Sequence, residues 1–159
     1  MKIWFRRIST VGVLFFPLCA CALDVTYGSF FTVRGIAQKD GRPVLPLTRG
    51  QYANVRILDK DTWASLSACK STLCRQKASG GETEVVSLRA AKTRPGMWIA
   101  DISVDRRWLL TFLVFQNTRG YSVKAPEVIH IENEDWLHQL KQRILDAVAR
   151  LKTEGKDGV

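Results

Sequence analysis

Trp98-Ile99-Ala100-Asp101-Ile102-Ser103-Val104 is followed, after Asp105-Arg106-Arg107, by Trp108-Leu109-Leu110-Thr111-Phe112-Leu113-Val114-Phe115. The first run has the two-residue period of a strand. Trp98, Ala100, Ile102 and Val104 share the covered face, and Asp101 and Ser103 take the other, with Asp101 expected in solvent. The second run is apolar almost throughout, as a central strand covered on both faces should be. It is eight residues long, too short for a membrane helix, which needs about 20.

Turn signals frame this pair. Arg94-Pro95-Gly96-Met97 has Pro and Gly where a type II turn wants them, and Asn117-Thr118-Arg119-Gly120 turns the chain again. Before them Glu82–Arg89 reads as a strand and Lys77–Gly81 as a loop. After them Tyr121–Ile131 returns, interrupted by Pro126. Turns every 10–15 residues fit a β-sandwich. In its order the series Glu82–Ile131 resembles the second half of an immunoglobulin-like module. The resemblance is architectural and covers about 50 residues.

Upstream, Val25–Ala37 reads as one strand, with Phe31 and Val33 on one face and Thr32 and Arg34 on the other. Asp40-Gly41 signals a hairpin turn, and Pro43 and Pro46 demote Val44–Leu47 to an edge or a loop. Tyr52–Leu58 alternates again, with Ala53, Val55 and Ile57 inward. From Asp59 to Leu73 the period changes. Trp63, Leu66 and Leu73 fit a helical stripe, and Asp61 can cap its start.

The last segment is the most regular. Asn133 caps a helix whose first turn holds Glu134 and Asp135, where acids complement the helix dipole. Leu137, Leu140, Ile144, Val148 and Leu151 form one apolar stripe. It needs a cover, either the protein's own sheet, which is the expectation, or a partner. The expected class is therefore mainly β (α+β): an antiparallel β-sandwich with one short helix and a carboxy-terminal amphipathic helix. Residues 23–132 form the β-rich domain, 133–153 the helix and 154–159 a frayed tail.

The amino terminus reads differently. Lys2, Arg6 and Arg7 make a basic head, Val11–Leu18 is apolar, and Leu18-Cys19-Ala20-Cys21-Ala22 ends in small residues. Basic, then apolar, then small is the order of a secretory signal, here residues 1–22. The uncharged run Ile8–Leu23 is 16 residues, short of the ~20 of a permanent span. Two cuts compete. Ala20-Cys21-Ala22 is an Ala-x-Ala site that would release Leu23. Leu18-Cys19-Ala20-Cys21 resembles the lipobox of bacterial lipoproteins over four residues, which implies a cut after Ala20 and a lipidated Cys21. The expected place is exported: periplasmic, secreted or held at a membrane. Membrane contact would come through a lipidated Cys21 or an uncleaved signal segment.

Beyond the signal, 21 basic residues face 15 acidic ones, net +6. The basic charges are spread singly, without the runs that mark nucleic-acid arms, and export also argues against a nucleic-acid partner. Cys69 and Cys74 are the two cysteines left. An even pair in an oxidising compartment reads as a disulfide. Residues five apart on a helix lie about 8.5 Å apart, beyond the ~7 Å reach of the bond. The helix should therefore end near Ala68.

Catalytic motifs do not emerge. There is no Gly-x-Ser-x-Gly elbow, phosphate-binding loop or His-Glu-x-x-His. Asp59 and Asp61 suit capping better than paired-carboxylate chemistry, and His130 suits a hydrogen-bonded strand position better than a catalytic base. Trp63, Trp98, Trp108 and Trp136 suit a core better than a ligand platform. No cofactor or metal is expected. The reading is a non-enzymatic binding or assembly module whose partner is a protein or an envelope component. A small exported hydrolase using carboxylates or His130 is the alternative.

Overall fold

The computed structural model describes residues 22–46, 55–92 and 94–154. Residues 1–21, which hold Cys21 and nearly all of the expected signal segment, the expected inward position of Ala53, and the tail from residue 155 lie outside them. In chain order the elements are β1 (Leu23–Tyr27), β2 (Phe31–Lys39), β3 (Arg42–Val44), β4 (Val55–Ile57), α1 (Lys60–Ala68), β5 (Leu73–Gln76), β6 (Thr83–Ala90), β7 (Met97–Val104), β8 (Trp108–Asn117), β9 (Gly120–Lys124), β10 (Ile129–Ile131) and α2 (Glu134–Glu154).

The Trp98–Phe115 stretch is the hairpin β7–β8, in unbroken register from Met97↔Phe115 to Val104↔Trp108. It forms the middle of a five-stranded sheet. β6 flanks β7, while β4 and β9 share the far side of β8, β4 on Trp108–Leu110 and β9 on Leu113–Asn117. The other sheet runs β10-β2-β1-β5, with β3 on β2. The two pack as a mainly β sandwich. Val25, Tyr27, Phe31, Val33 and Ile36 from one side and Trp98, Ala100, Ile102, Trp108, Leu110 and Phe112 from the other form one continuous core.

Within the sandwich, β6 to β9 stay in one sheet as a meander, and only β10 crosses to the other. An immunoglobulin-like second half divides its strands between sheets, so the likeness stops at the sandwich. Pro126 marks the crossing: β9 ends at Lys124 and β10 begins at Ile129.

Four local expectations need correction. Val25–Ala37 is two strands, because Gly28 (φ +55°) turns the chain so that β1 and β2 pair antiparallel. A Cβ at Gly28 would also come 2.7 Å from that of Ala78. The cap of α1 is Asp59, whose Oδ1 accepts from Thr62 N at 2.8 Å; Asp61 is exposed in the first turn. Of the α1 stripe only Leu66 is buried, Trp63 being half-buried and Leu73 the exposed first residue of β5. Finally, Asp101 is not solvated. It is 5% exposed on the outer side of β7 and accepts from Thr111 Oγ1 (2.6 Å), Arg89 (2.7 Å) and Ser87 Oγ (2.8 Å).

The ends of the helices follow the sequence. α1 stops at Ala68, and Cys69 and Cys74 stand at disulfide distance, Cα–Cα 6.3 Å. Asn133 Oδ1 accepts from Trp136 N and caps α2. Leu137, Leu140, Ile144 and Val148 are buried in the common core, joined by Trp136, which stacks on Phe31. The fifth stripe residue, Leu151, is 41% exposed, a turn beyond the covered stretch. Among the described residues, no helix is long and apolar enough to cross a membrane.

Candidate functional site

The residues singled out in the sequence do not converge. Asp59 is used as a cap. Trp98, Trp108 and Trp136 are buried in the core, and Trp63 is half-buried on α1. Four of the five helix-stripe residues are covered. Among the described residues, no group of three His, Cys, Asp or Glu side chains could hold a metal ion.

His130 is exposed, and the register of the first sheet gives it neighbours the sequence did not suggest. It stands opposite Thr32, Thr32 opposite Thr26, and Thr26 opposite Arg75. These four positions make one row across the outer face, over β10, β2, β1 and β5. Thr32 Oγ1 donates to Glu132 Oε1 at 2.9 Å and lies 2.9 Å from Thr26 Oγ1, which therefore donates to it. Among the described residues no side-chain hydrogen bond joins His130 to an acid.

At the β5 end this polar face opens into a groove of about 700 Å³, lined by Thr26, Gly28, Ser29, Arg75, Lys77 and Glu132 among others. Around the same strand a second groove of about 280 Å³ separates β5 from α1. Arg75, Lys77 and Arg107 face Asp61 and Ser65 there. Three cations against one acid make this second groove positive, Glu132 being the acid of the first, and Arg75 and Lys77 are exposed.

Sequence and packing explain why β5 lies where it does. Its alternation is reversed relative to a strand read from apolar residues: Leu73 and Arg75 point out, while Cys74 and Gln76 point in. Gln76 accepts from Trp108 Nε1 (3.2 Å) and donates to Ser65 Oγ (2.9 Å), tying β5 to both the other sheet and α1. The Cys69–Cys74 pair ties its start to the end of α1. On its inner side it pairs parallel with β1, from Asp24↔Leu73 to Tyr27↔Gln76. No periodic signal in four residues with one buried side chain could have shown this strand, and no spacing rule could have brought Arg75 to Thr26.

One half-buried acid outside this edge serves the frame. Asp105 opens the β7–β8 turn with φ +50° and accepts from Tyr27 Oη (2.7 Å) and from the amides of Ser79, Gly81 and Glu82. Burial and the Asp105 carboxylate push the Tyr27 hydroxyl well above its ordinary pKa. For Asp105 itself burial works upward, but the Tyr27 and amide hydrogen bonds outweigh it and hold the carboxyl below its usual range.

No protein-family model, characterised protein or solved structure matches this chain.

Proposed function

We propose that the chain is an exported, non-enzymatic binding module, and that its partner, a protein or another envelope component, docks at the basic β5 edge. One observation carries this reading: Arg75, Lys77 and Arg107 gather around an edge strand, and Arg75 and Lys77 open onto a polar face, whereas the stripe of α2 is largely used in the molecule's own core. Export rests on the order of residues in 1–22, basic, apolar, then small. The finer possibility, a lipidated Cys21, would hold the module at a membrane surface.

The test compares wild-type protein with Arg75→Glu/Lys77→Glu in quantitative pull-downs from the envelope of the producing cells. The reading expects a partner recovered by the wild type and lost, by about tenfold or more, with the reversed pair. Equal recovery by both would overturn it. So would turnover of an ester or peptide that disappears with His130→Ala, which belongs to the hydrolase alternative.

A further inference from the structure

We infer that the β5 edge takes its partner as an added β-strand, and that the partner is an acidic, extended polypeptide segment. This rests on the docking site proposed above and names what fills it. The inference begins with the alternation of the ladder. Thr72 O accepts from Asp24 N and Gln76 O from Gly28 N, both at 2.9 Å, so the even-numbered peptide groups of this stretch face β1. In a parallel ladder the intervening residues turn their groups the other way. The peptide groups of Leu73 and Arg75 therefore point out of the sheet edge, and among the described residues only the amide of Leu73 is taken up, by Ser71 Oγ at 3.3 Å. β5 ends its sheet.

Two other sheet edges are blunted in ways that β5 is not, and β9 is an edge as unbroken as β5, so the cationic groove is what singles β5 out. β6 carries a register break between Val85 and Ser87, and Arg143 of α2 donates to its Thr83 carbonyl. β10 has three residues and leads almost directly into α2. β5 runs without a bulge beside the groove of about 280 Å³ whose opposite wall is α1, tied to β5 at Gln76–Ser65 and at Cys69–Cys74.

Charge and side-chain spacing then select the occupant. A strand laid along β5 sets alternate side chains beside Leu73 and Arg75 on the outer face. Leu73 is 44% exposed and wants an apolar neighbour; Arg75, with Lys77 behind it, wants a carboxylate. The fitting segment carries an apolar residue and an acid two positions apart and has no proline between them. Main-chain hydrogen bonds give such docking its affinity and the alternate side chains its specificity.

A random library of linear twelve-residue peptides, selected on the full exported chain, tests this. The enriched peptides should share the apolar-x-acid spacing and bind Arg75→Glu/Lys77→Glu about tenfold or more weaker. Arg75→Ala removes the charge; Arg75→Pro removes the charge and the outward amide while leaving the ladder to β1. The proline variant should bind about fivefold weaker than the alanine variant. Should Arg75→Pro not fold, hydrogen exchange in the wild type replaces it, and the Arg75 amide must slow when an enriched peptide is added. Peptides without the spacing, no enrichment, equal binding by the proline and alanine variants, or an unprotected Arg75 amide each overturn strand addition. If the charge reversal still weakens binding in those cases, the docking site stands and only the mode falls. If it does not, both fall.

Discussion

Asp101 carries its carboxylate on the outer side of the second sheet, directly opposite Ser87 on one neighbouring strand and Thr111 on the other. That register is what the sequence could not show. The alternation around Asp101 correctly puts it off the main core, but only the cross-strand partners decide whether that side is wet. Burial works to raise its pKa, and the hydrogen bonds from Thr111, Arg89 and Ser87 more than reverse this, as those from Tyr27 and the loop amides do for Asp105. Both folded pKa values thus lie below the unfolded value of about 3.9. Below about pH 4 the unfolded chain binds more protons than the folded one. The stabilisation is therefore complete above that range and lost as pH falls through the folded values. Urea midpoints should be level above about pH 5 and fall steeply below about pH 4; a midpoint unchanged down to pH 2 would refute the assignment. Asp105→Ala leaves Tyr27 and three amides without their acceptor and should cost about 2–4 kcal/mol in the same titration. At Cys69 and Cys74, thiol labelling of the denatured, unreduced protein should find neither free. The double alanine variant should lose about 2 kcal/mol without losing the fold.

Elements with long periods were legible, and short ones were not. The cap at Asn133 and the stripe Leu137, Leu140, Ile144 and Val148 specify α2 and the face that needs a cover, because four apolar residues at helical spacing fall on one side of one helix. β7 and β8 were legible for the same reason at period two. The turn at Gly28 was missed because Val25–Ala37 carries apolar residues on both sides of it, so its period hides the break. β5 was missed because its apolar Leu73 faces outward. Leu140, 1% exposed, should cost about 2–5 kcal/mol on truncation to Ala, read as monomer stability in urea. Leu151→Ala, beyond the covered turns, should stay within about 0.5 kcal/mol of wild type. Comparable losses at both positions would mean that the stripe is covered along its whole length. Gly81 supplies a local contrast: it has φ +70°, donates its amide to Asp105, accepts from Trp136 Nε1, and would press any Cβ into the Phe30 ring. Its freedom from a side chain is thus a packing requirement where the loop, the turn and α2 meet.

Across the whole molecule, hydrophobic patterning was enough for the sandwich and the docked helix. The crossing of β10 and the parallel pairing of β1 with β5 depend on contacts far apart in sequence, which no local period records. The candidate site suffers most from this. Arg75, Lys77 and Arg107 are three scattered charges in the chain, and they become an edge only when α1 carries it from β4 in one sheet to β5 in the other. Export makes its own prediction: the mature protein's intact mass should lack residues 1–20 or 1–22, with an acyl increment on Cys21 in the first case. A retained Met1–Ala20 would replace the signal with an anchor. The docking claim is tested most directly by photo-crosslinking in the producing cells, with the reactive side chain placed in turn at Lys77 and at Val86, an exposed position on the opposite sheet. The account predicts a discrete adduct from Lys77 and none from Val86. Equal adducts from both positions, or an adduct from Val86 alone, would contradict it.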